Sequence, residues 1–566
     1  MSEPEDEARA PAGEGTEAEG AEAERAEAER AEADGAEAEA AEAEGAEAEA
    51  VSGRDAAEEQ TAEREARYGR SLTRGALINV IGLLGKLLYP VLILVLTRLF
   101  GAELMGAYFL GLTVVEIGSA FVVTGWMDAA TIYASHHVED AETDARARAQ
   151  MNAVVGHLLG YGTFLALAVA ALVQLGAAPL IEAHFPDYDA LLPGVYYLGW
   201  CLVPAVFGQV VAAAAKAHLA MEWDALVGGL RPILLLLTGV VVWLLDGGLT
   251  ALFATHLVAN LVLALVAIVP LRRFFDPRPV LAAMLRPRLD RALLAFSIPQ
   301  GLNRTFVLYV TRLDTIMLAA FGTDPARLGW YATASYLTSN LQQIRIVFST
   351  ALAPLVARHH VRGERRQLSA LISRTSRWTA TLVAPAVLIL AVLRDDVLAL
   401  VDPSYVGPES AFVLLLLVPP FASCAFGLAG NFVAYMGHSR WNLANSLTVA
   451  GLNTALNWAL IPRYGLAGAA GATAISTVLV ITFQQLELWG LEKVRLRLAA
   501  IRAPHLAFLV GVGALVALGG DPAHAGSLGS RLGLAAGLTF GFVALAWLLG
   551  HPELRAKLGG RADGAD

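Results

Sequence analysis

Long apolar runs separated by short polar stretches dominate the chain after Tyr68. A helix needs about 20 predominantly apolar residues to cross the hydrocarbon core of a bilayer. Fourteen runs approach or exceed that length, over 76–97, 106–127, 152–175, 192–215, 226–245, 249–271, 292–320, 330–354, 378–393, 410–436, 441–461, 468–489, 503–519 and 532–550. Very tight turns follow the fifth run, around Asp246, and the eleventh, around Pro462. The pattern predicts an all-α, polytopic membrane protein with about 14 transmembrane helices.

The distribution of lysine and arginine supports this layout and orients it. With a cytoplasmic N-terminus, 27 basic residues fall on the cytoplasmic side of the predicted helices and 5 on the opposite side. Cytoplasmic loops of membrane proteins carry such an excess of basic residues. One missed or additional span would destroy the asymmetry. We therefore expect both termini in the cytoplasm and the protein in the cytoplasmic (inner) membrane.

Composition separates an acidic N-terminal segment from the apolar body. Hydrophobic residues make up 56% of the chain and charged residues 16%, whereas soluble domains carry about 25% charged residues. Residues 1–67 hold 24 acidic and 6 basic side chains, so the rest of the chain carries +7 although the whole carries −11. Residues 21–50 repeat a five-residue pattern of alanine and glutamate without Leu, Ile, Val or an aromatic residue. We expect residues 1–70 to be a disordered acidic tail.

A motif recurs in the two halves of the apolar body. Its matching pairs, at offsets of 221 and 217 residues, are Phe100-Gly101 with Phe321-Gly322 and Gly248-Leu249 with Gly465-Leu466; the first pair is followed by Gly106-Ala107-Tyr108 and Gly329-Trp330-Tyr331. Six predicted helices separate the copies, so the halves share one topology. Parallel repeats of this kind are typical of transporters with a site between two lobes. We predict two pseudo-symmetric six-helix lobes, over 71–275 and 276–490, plus two C-terminal helices and a cytoplasmic end over 491–566.

Three cations lie near the middle of predicted helices, where an ionisable side chain costs about 2.5–3.5 kcal/mol on insertion scales. They are Lys86, Arg304 and Arg345. Each belongs to a polar stripe at helical spacing, and the amide side chains of these stripes are Asn79, Gln300, Asn303 and Gln342. The three helices straddle the predicted lobe interface. Cations that converge there in a water-filled cleft suit a phosphate-bearing substrate, because guanidinium forks match phosphate oxygens.

Intramembrane ion pairing is the alternative explanation for these charges. Glu116 lies in the middle of the second predicted helix and is placed to neutralise Lys86, while Asp314 is placed to serve one of the arginines. Arg312 and Asp314 are two residues apart and face opposite ways on a helix, so they are not expected to pair with each other. A coupling-ion role for Glu116, Asp314 or Asp128 also stays open. Arg231 is expected to extend towards the cytoplasmic interface.

Motifs of catalysis and cofactor binding are missing from the sequence: there is no P-loop, HExxH, GxSxG or CxxC. The two cysteines, Cys201 and Cys424, lie inside apolar runs, where a cysteine usually packs as a small hydrophobe. The predicted external loops leave little room for a catalytic domain. We therefore expect no enzymatic activity, no cofactor or metal, and no nucleic-acid partner. Interhelical hydrogen bonding is the ordinary explanation for four intramembrane amides, Asn431, Asn445, Asn453 and Asn457.

Several stretches carry a family resemblance. Residues 311–318 read TRLDTIML and continue to LGWYA at 328–332, and residues 452–476 read LNTALNWALIPRYGLAGAAGATAIS. Together with Asn79 and the Gly106-Ala107-Tyr108 motif, these stretches resemble the oligosaccharide flippase, or polysaccharide biosynthesis (O-antigen translocase-like), family. This family belongs to the multidrug/oligosaccharidyl-lipid/polysaccharide exporter superfamily. The resemblance covers essentially residues 72–550.

The resemblance implies a two-lobed bundle that moves a polyprenyl-pyrophosphate-linked oligosaccharide from the cytoplasmic to the outer leaflet by alternating access. Its cationic cavity for the pyrophosphate falls, by position only, on Lys86, Arg304 and Arg345. Expected partners are the lipid-linked oligosaccharide, membrane lipids, and a polysaccharide polymerase and glycosyltransferases. The alternatives are a peptidoglycan-precursor flippase, a drug or small-molecule exporter of the same superfamily, a membrane glycosyltransferase or polymerase, and a non-transporting scaffold.

Overall fold

The computed structural model describes residues 88–141, 143–188, 190–436, 439–517 and 527–551, which form helices joined by short turns and contain no strand. All of these residues belong to one compact unit, Ile78–Asp566. The predicted acidic tail, together with Asn79 and Lys86, lies outside the described residues.

Nine helices make up the first half. They are α1 (Leu88–Ser119), α2 (Gly125–Ser135), α3 (Val138–Ala141), α4 (Ala145–His184), α5 (Leu191–Trp200), α6 (Leu202–Ala215), α7 (Glu222–Leu244), α8 (Leu249–Phe274) and α9 (Pro277–Leu285). Predicted spans two to six each overlap helices of this set, and the turn around Asp246 separates α7 from α8, as predicted.

Ten helices make up the second half. They are α10 (Arg291–Ala320), α11 (Pro325–Ser339), α12 (Gln343–Val361), α13 (Arg365–Val401), α14 (Phe412–Leu416), α15 (Val418–Phe426), α16 (Leu428–Tyr435), α17 (Ser439–Glu492), α18 (Leu498–Ala517) and α19 (Leu528–Leu548). Predicted spans seven to fourteen each overlap helices of this set.

Nine helical stretches of the described chain are long and apolar enough to cross a membrane, judged by length and composition. Two of them contain a point where the backbone leaves the helical conformation, at Gly101 (φ 76°, ψ 170°) and at Gly465 (φ 54°, ψ −128°). Each of these two stretches is therefore a pair of helices, in agreement with the turn predicted near Pro462. The all-α polytopic fold is confirmed, and the total of fourteen crossings stays a prediction.

The helices expose apolar side chains and bury polar ones. Leu175 on α4 is 82% exposed and Leu265 on α8 is 65% exposed, whereas Asn453 and Asn457 on α17 are fully buried. Water would penalise such a surface, but lipid does not, and a bilayer favours interhelical partners for the amides. The distribution therefore suits a protein whose solvent is the hydrocarbon of a membrane.

The two copies of the repeated motif meet each other directly. A Cβ added to Gly106 of α1 would lie 1.8 Å from the carbonyl oxygen of Pro325, and one added to Gly329 of α11 would lie 2.2 Å from the carbonyl oxygen of Ala102. Each of these glycines thus touches the helix that carries the other, at corresponding positions of the repeat. Such a contact is self-complementary, as in a two-fold symmetric interface. Only a residue without a side chain permits this approach of the two backbones.

Several helices are interrupted inside predicted spans. Five residues of π-helix, Ala120–Thr124, join α1 to α2, and a single 3-10 turn, Asn340–Gln342, joins α11 to α12. The tenth predicted span is divided at Leu417 and at Gly427. Discontinuous helices at membrane depth are tolerated where they line a cavity or are buried in protein, and they recur at transporter binding sites.

Side chains satisfy the backbone carbonyls that the break near Gly427 releases. The hydroxyl of Thr379 on α13 donates to the carbonyl oxygen of Cys424, and Nε2 of Gln485 on α17 donates to the carbonyl oxygen of Phe426 at 2.7 Å. An unsatisfied carbonyl in hydrocarbon costs several kcal/mol, so these two hydrogen bonds stabilise the interrupted helix. The rest of the fold therefore supports this break.

Candidate functional site

The predicted amides and cations of α10 divide between two faces of that helix. Gln300 and Arg304 are exposed, whereas Asn303 is half-buried and turned towards the helices of the second half. Arg304 makes no hydrogen bond or ion pair within the described chain, although its charge acts on the carboxylate of Asp128 in α2. Asn79 and Lys86 lie outside the described residues, so their convergence with Arg304 stays a prediction.

A polar cavity of about 250 Å³ lies among α10, α12, α15, α16 and α17. We call it the Arg345 cavity. Its lining residues are Asn303, Val307, Arg345, Ser423, Gly427, Gly430, Asn431, Ala434, Ser446, Thr477, Val480, Ile481 and Gln484. The structure thus brings together two of the predicted site residues, Asn303 and Arg345, while Gln300 and Arg304 are not part of this lining.

Arg345 reaches the cavity because the helix restarts immediately before it. Gln342, another predicted site residue, belongs to the 3-10 turn that ends one residue before α12 begins, and Arg345 lies in the first turn of that helix. Its Nη1 donates to Oδ1 of Asn431 at 2.5 Å, while its Nε is buried and has no acceptor. A buried donor without a partner costs about 1–3 kcal/mol, more when it is charged. No carboxylate lines the cavity.

A second charged cluster joins α1 to α10 and α11. Nε of Arg312 donates to Oε2 of Glu116 at 3.1 Å, and the Tyr336 hydroxyl donates to the same oxygen, also at 3.1 Å. The Arg312 guanidinium carbon lies 3.6 Å from the centroid of the Tyr336 ring, a close cation–π contact. Arg312 is thus a partner of Glu116 that the sequence did not suggest, and the suggested pairing of Glu116 with Lys86, which lies outside the described residues, stays a prediction. Arg312 and Glu116 meet because α10 turns Arg312 towards α1.

Asp314 is held by neutral donors. It accepts hydrogen bonds from the Tyr331 hydroxyl at 2.6 Å, from Nδ2 of Asn457 at 2.9 Å, and from the Thr473 hydroxyl. The expectation that Asp314 serves an arginine is wrong within the described chain, because its helical face points to α11 and α17, which present hydroxyl and amide groups there. As expected, Asp314 and Arg312 do not pair. The carboxylate is 3% exposed.

Arg231 on α7 is a cation that sequence reasoning undervalued. Its Nε is buried without an acceptor, and its charge acts on Tyr89, Tyr108 and Glu116. The expected extension towards the cytoplasmic interface stays a prediction. Glu116 is already bound to Arg312, so Arg231 adds one more uncompensated charge to the interior of the described chain. The position of Arg231 along its helix agrees with this burial, because α7 begins at Glu222 and Arg231 lies more than two turns inside it.

Other polar residues of the interior make ordinary hydrogen bonds between packed helices. The Tyr108 hydroxyl and Nε2 of the buried His256 lie 2.7 Å apart, in a hydrogen bond between packed helices. Asn453 donates to Thr473 and Ser476, and Nδ2 of Asn445 donates to Glu487 at 2.6 Å. Three cavity residues, Asn431, Thr477 and Gln484, were not singled out as binding groups, because only their convergence on Arg345 distinguishes them from ordinary helix-packing amides and hydroxyls.

A further cavity, of about 280 Å³, lies between α1, α4 and α5 and is lined almost wholly by aliphatic side chains, including Leu110, Val169 and Leu172. It contains none of the predicted site residues. It offers no charge and no hydrogen-bonding side chain to a polar head group, so the Arg345 cavity is the better candidate for substrate contact.

Comparisons with known proteins agree with this picture. A curated relative from Haloferax volcanii, named as a probable low-salt glycan biosynthesis flippase, Agl15, is 28% identical over 170 residues, 29% of this chain. The match spans 34% of that relative's length, so only about a third of it is covered.

Two solved structures share the fold. One is described as the lipid II flippase MurJ in an inward closed conformation, with a TM-score of 0.63, 11% identity and coverage of 85% of this chain and 100% of that one. The other is an inward-facing multidrug resistance MATE family transporter of the MOP superfamily, with a TM-score of 0.58, 14% identity, and coverage of 72% and 95%. At such identities the likeness shows the fold alone, that of polytopic transporters.

The family model described as polysaccharide biosynthesis protein matches residues 72–360, just over half of the chain. This range includes Glu116, Arg304, Arg312 and Arg345. The apolar helical stretches and this match together make the protein a multi-pass membrane protein, and the family resemblance carried by residues 311–332 is confirmed. The chain belongs to the polysaccharide biosynthesis protein family.

Proposed function

We propose that the protein translocates a polyprenyl-pyrophosphate-linked oligosaccharide from the cytoplasmic to the outer leaflet, for cell-surface polysaccharide biosynthesis. The observation that carries this proposal is the surplus of guanidinium groups in the interior. Arg231 and Arg345 each have a buried Nε without an acceptor, and Arg304 has no ion pair in the described chain. The carboxylates of Glu116 and Asp314 are already bound to other groups, and the Asp128 carboxylate, on which the charge of Arg304 acts, offsets only part of this surplus.

An uncompensated cation inside a membrane is costly, and an anionic substrate removes that cost when it binds. A lipid-linked pyrophosphate has this charge, and its head group is too polar to cross hydrocarbon unaided. We propose that four side chains contact the pyrophosphate at the exposed face of α10, and these are Lys86, Arg304, Asn79 and Gln300. Arg345, Asn303 and Gln342 are proposed to contact the head group from the Arg345 cavity and its adjoining turn.

The lobes proposed to alternate are residues 71–275 and 276–490, with residues 491–566 as an addition outside the repeat. The reciprocal contact between Gly106 and Gly329 supports this division, because a two-fold relation between lobes places equivalent residues at their boundary. Glu116 and Arg312 join the same two halves. Asp314 is proposed as the coupling group, because a buried carboxylate surrounded by neutral donors can bind a proton or a cation without breaking an ion pair.

A drug exporter of the same superfamily is the second transport function, and the MATE-like fold alone permits it. The interior charges argue against it for cationic compounds, which require a net acidic cavity. A peptidoglycan precursor is also a lipid-linked pyrophosphate, and it is tested as a competing substrate below. We place the protein in the cytoplasmic membrane with both termini inside, and expect it to act beside glycosyltransferases and a polysaccharide polymerase.

The test is transfer of a fluorescent lipid-linked oligosaccharide across proteoliposomes that contain the full chain. Wild type is compared with Lys86→Gln, Arg304→Gln and Arg345→Gln, and lipid II is run as a second substrate. The matched control is Arg463→Gln, because Arg463 is exposed and bonds only the carbonyl oxygen of Ala459 within its own helix. We expect at least a tenfold slower transfer in each of the three variants and an unchanged rate in the control.

Three outcomes contradict parts of this proposal. If transfer survives all three substitutions, the flippase function stands but these residues are not part of its substrate site. No transfer of any pyrophosphate-linked lipid by correctly inserted wild-type protein removes the flippase itself, and faster transfer of lipid II than of the oligosaccharide lipid replaces the substrate with a peptidoglycan precursor.

A further inference from the structure

The Arg345 guanidinium has hydrogen-bonding capacity that the described chain leaves unused. Arg345 uses Nη1 for Asn431, its Nε is shielded and has no acceptor, and its Nη2 makes no hydrogen bond with a described residue. Two other arginines of this protein bind carboxylates, Arg327 to Glu409 at 2.8 Å through Nη2 and Arg531 to Asp396 at 2.6 Å through Nη2. Nη2 of Arg345 can therefore bind a carboxylate, which the described lining residues of the cavity do not supply.

The same cavity contains hydrogen-bonding groups that the fold leaves unused. The Gln484 amide makes no hydrogen bond with any described residue, and neither does the Thr477 hydroxyl. Asn431 accepts from Arg345 through Oδ1, so its amide hydrogens stay available. Gly430 makes room for this arrangement, because a Cβ there would lie 2.5 Å from the Gln484 amide carbon. Amides and hydroxyls on one concave surface suit a ligand rich in hydroxyl groups.

The volume and the charge of the Arg345 cavity limit the ligands that it can bind. Pockets for drug-sized ligands measure about 300–1,000 Å³, so the Arg345 cavity, at about 250 Å³, suits one sugar ring better than an oligosaccharide. A pyrophosphate carries more than one negative charge, and this lining has a single cation. Val307, Val480 and Ile481 supply apolar surface for the faces of a ring.

We propose that the Arg345 cavity binds one acidic sugar, with the sugar carboxylate on Nη2 of Arg345 and its hydroxyls on Asn431, Thr477 and Gln484. This inference rests on the proposed function and refines it, because it assigns the cavity to a uronate residue of the transported glycan. The lipid pyrophosphate is left to the exposed face of α10. The protein then selects among lipid-linked glycans by the charge of one sugar.

The test measures sugar binding without transport. Purified full-length protein in nanodiscs is titrated with methyl glucuronoside, methyl glucoside and inorganic phosphate, and affinity is followed by calorimetry and saturation-transfer NMR. We expect the glucuronoside to bind at least tenfold more tightly than the glucoside and than phosphate. Arg345→Gln should reduce glucuronoside affinity to that of the glucoside. Arg463→Gln, at an exposed residue outside the lining, should change neither.

A second variant keeps the proposal falsifiable if Arg345→Gln does not fold. Gln484→Leu breaks no hydrogen bond of the described chain and should weaken both sugars by a similar factor, leaving the preference for the glucuronoside intact. Equal binding of the two glycosides, or phosphate binding as tight as that of the glucuronoside, overturns the acidic-sugar site. Absence of any saturable sugar binding does so too.

The two proposals fail in different ways. Protein that binds the glucuronoside but transfers no lipid-linked glycan in proteoliposomes overturns the flippase and keeps the sugar site. Protein that transfers neutral and uronate-containing glycans equally fast, in wild type and in Arg345→Gln alike, keeps the flippase and overturns the sugar site.

Discussion

The ion pair between Glu116 and Arg312 joins the two halves of the described chain, and its energy can be worked out from the structure. The donor and acceptor atoms are 3.1 Å apart, and the two side chains are 19% and 15% exposed. At an effective dielectric constant of about 20, unit charges at this separation attract by about 5 kcal/mol. Part of that attraction offsets the desolvation of the two groups.

Removing one partner leaves the other charge buried. In Glu116→Gln, Arg312 keeps its contact with the Tyr336 ring, which is worth about 1–2 kcal/mol when desolvated. We therefore expect Glu116→Gln and Arg312→Gln each to lower the free energy of unfolding by about 3 kcal/mol, at the lower end of the range for broken buried pairs. The double variant should lose much less than the sum, giving a coupling energy of about 2–3 kcal/mol.

The assay is equilibrium SDS unfolding of the purified protein, analysed as a double-mutant cycle. The exposed pair of Arg327 and Glu409 is the matched control, because it has two short hydrogen bonds but side chains 43% and 49% exposed. Its coupling energy should not exceed about 1 kcal/mol. A coupling energy for Glu116 and Arg312 equal to that of the control would refute the argument that burial strengthens this contact.

Two further predictions concern the contact of the repeats and the buried carboxylate. Gly106→Ala should lower the thermal unfolding temperature, because its Cβ would lie 1.8 Å from the backbone oxygen of Pro325 and overpacking costs about 1–3 kcal/mol. The control is Gly118→Ala on the same helix, where a Cβ would meet open space. Equal unfolding temperatures of the two variants would count against the close approach. Asp314→Asn should fold but should abolish the dependence of lipid transfer on an imposed ion gradient, because the amide cannot bind a proton or a cation as the carboxylate does. The measurement is lipid transfer in proteoliposomes with and without the gradient. Transfer that stays gradient-dependent would exclude Asp314 as the coupling group.

Much of the fold follows from local properties of the sequence. The length of an apolar run decides whether a helix can span hydrocarbon, so the positions of the helices could be predicted without knowledge of their neighbours. The repeated motif likewise identified Gly106 and Gly329 as equivalent, and these residues prove to touch. The helix break at Gly427 was not predicted, because side chains remote in sequence satisfy the released carbonyls.

The sequence by itself determined which helices exist, that cations and amides stand at membrane depth, and that Arg312 and Asp314 face apart. Only the tertiary structure decided which groups meet. Glu116 and Arg312 are 196 residues apart, and Asp314 receives bonds from residues 17, 143 and 159 positions away. Asn303 and Arg304 are neighbours in the chain, yet one lines the Arg345 cavity and the other does not. The physical reason is that each residue step rotates a helix by about 100°, and the packing of distant helices fixes that rotation.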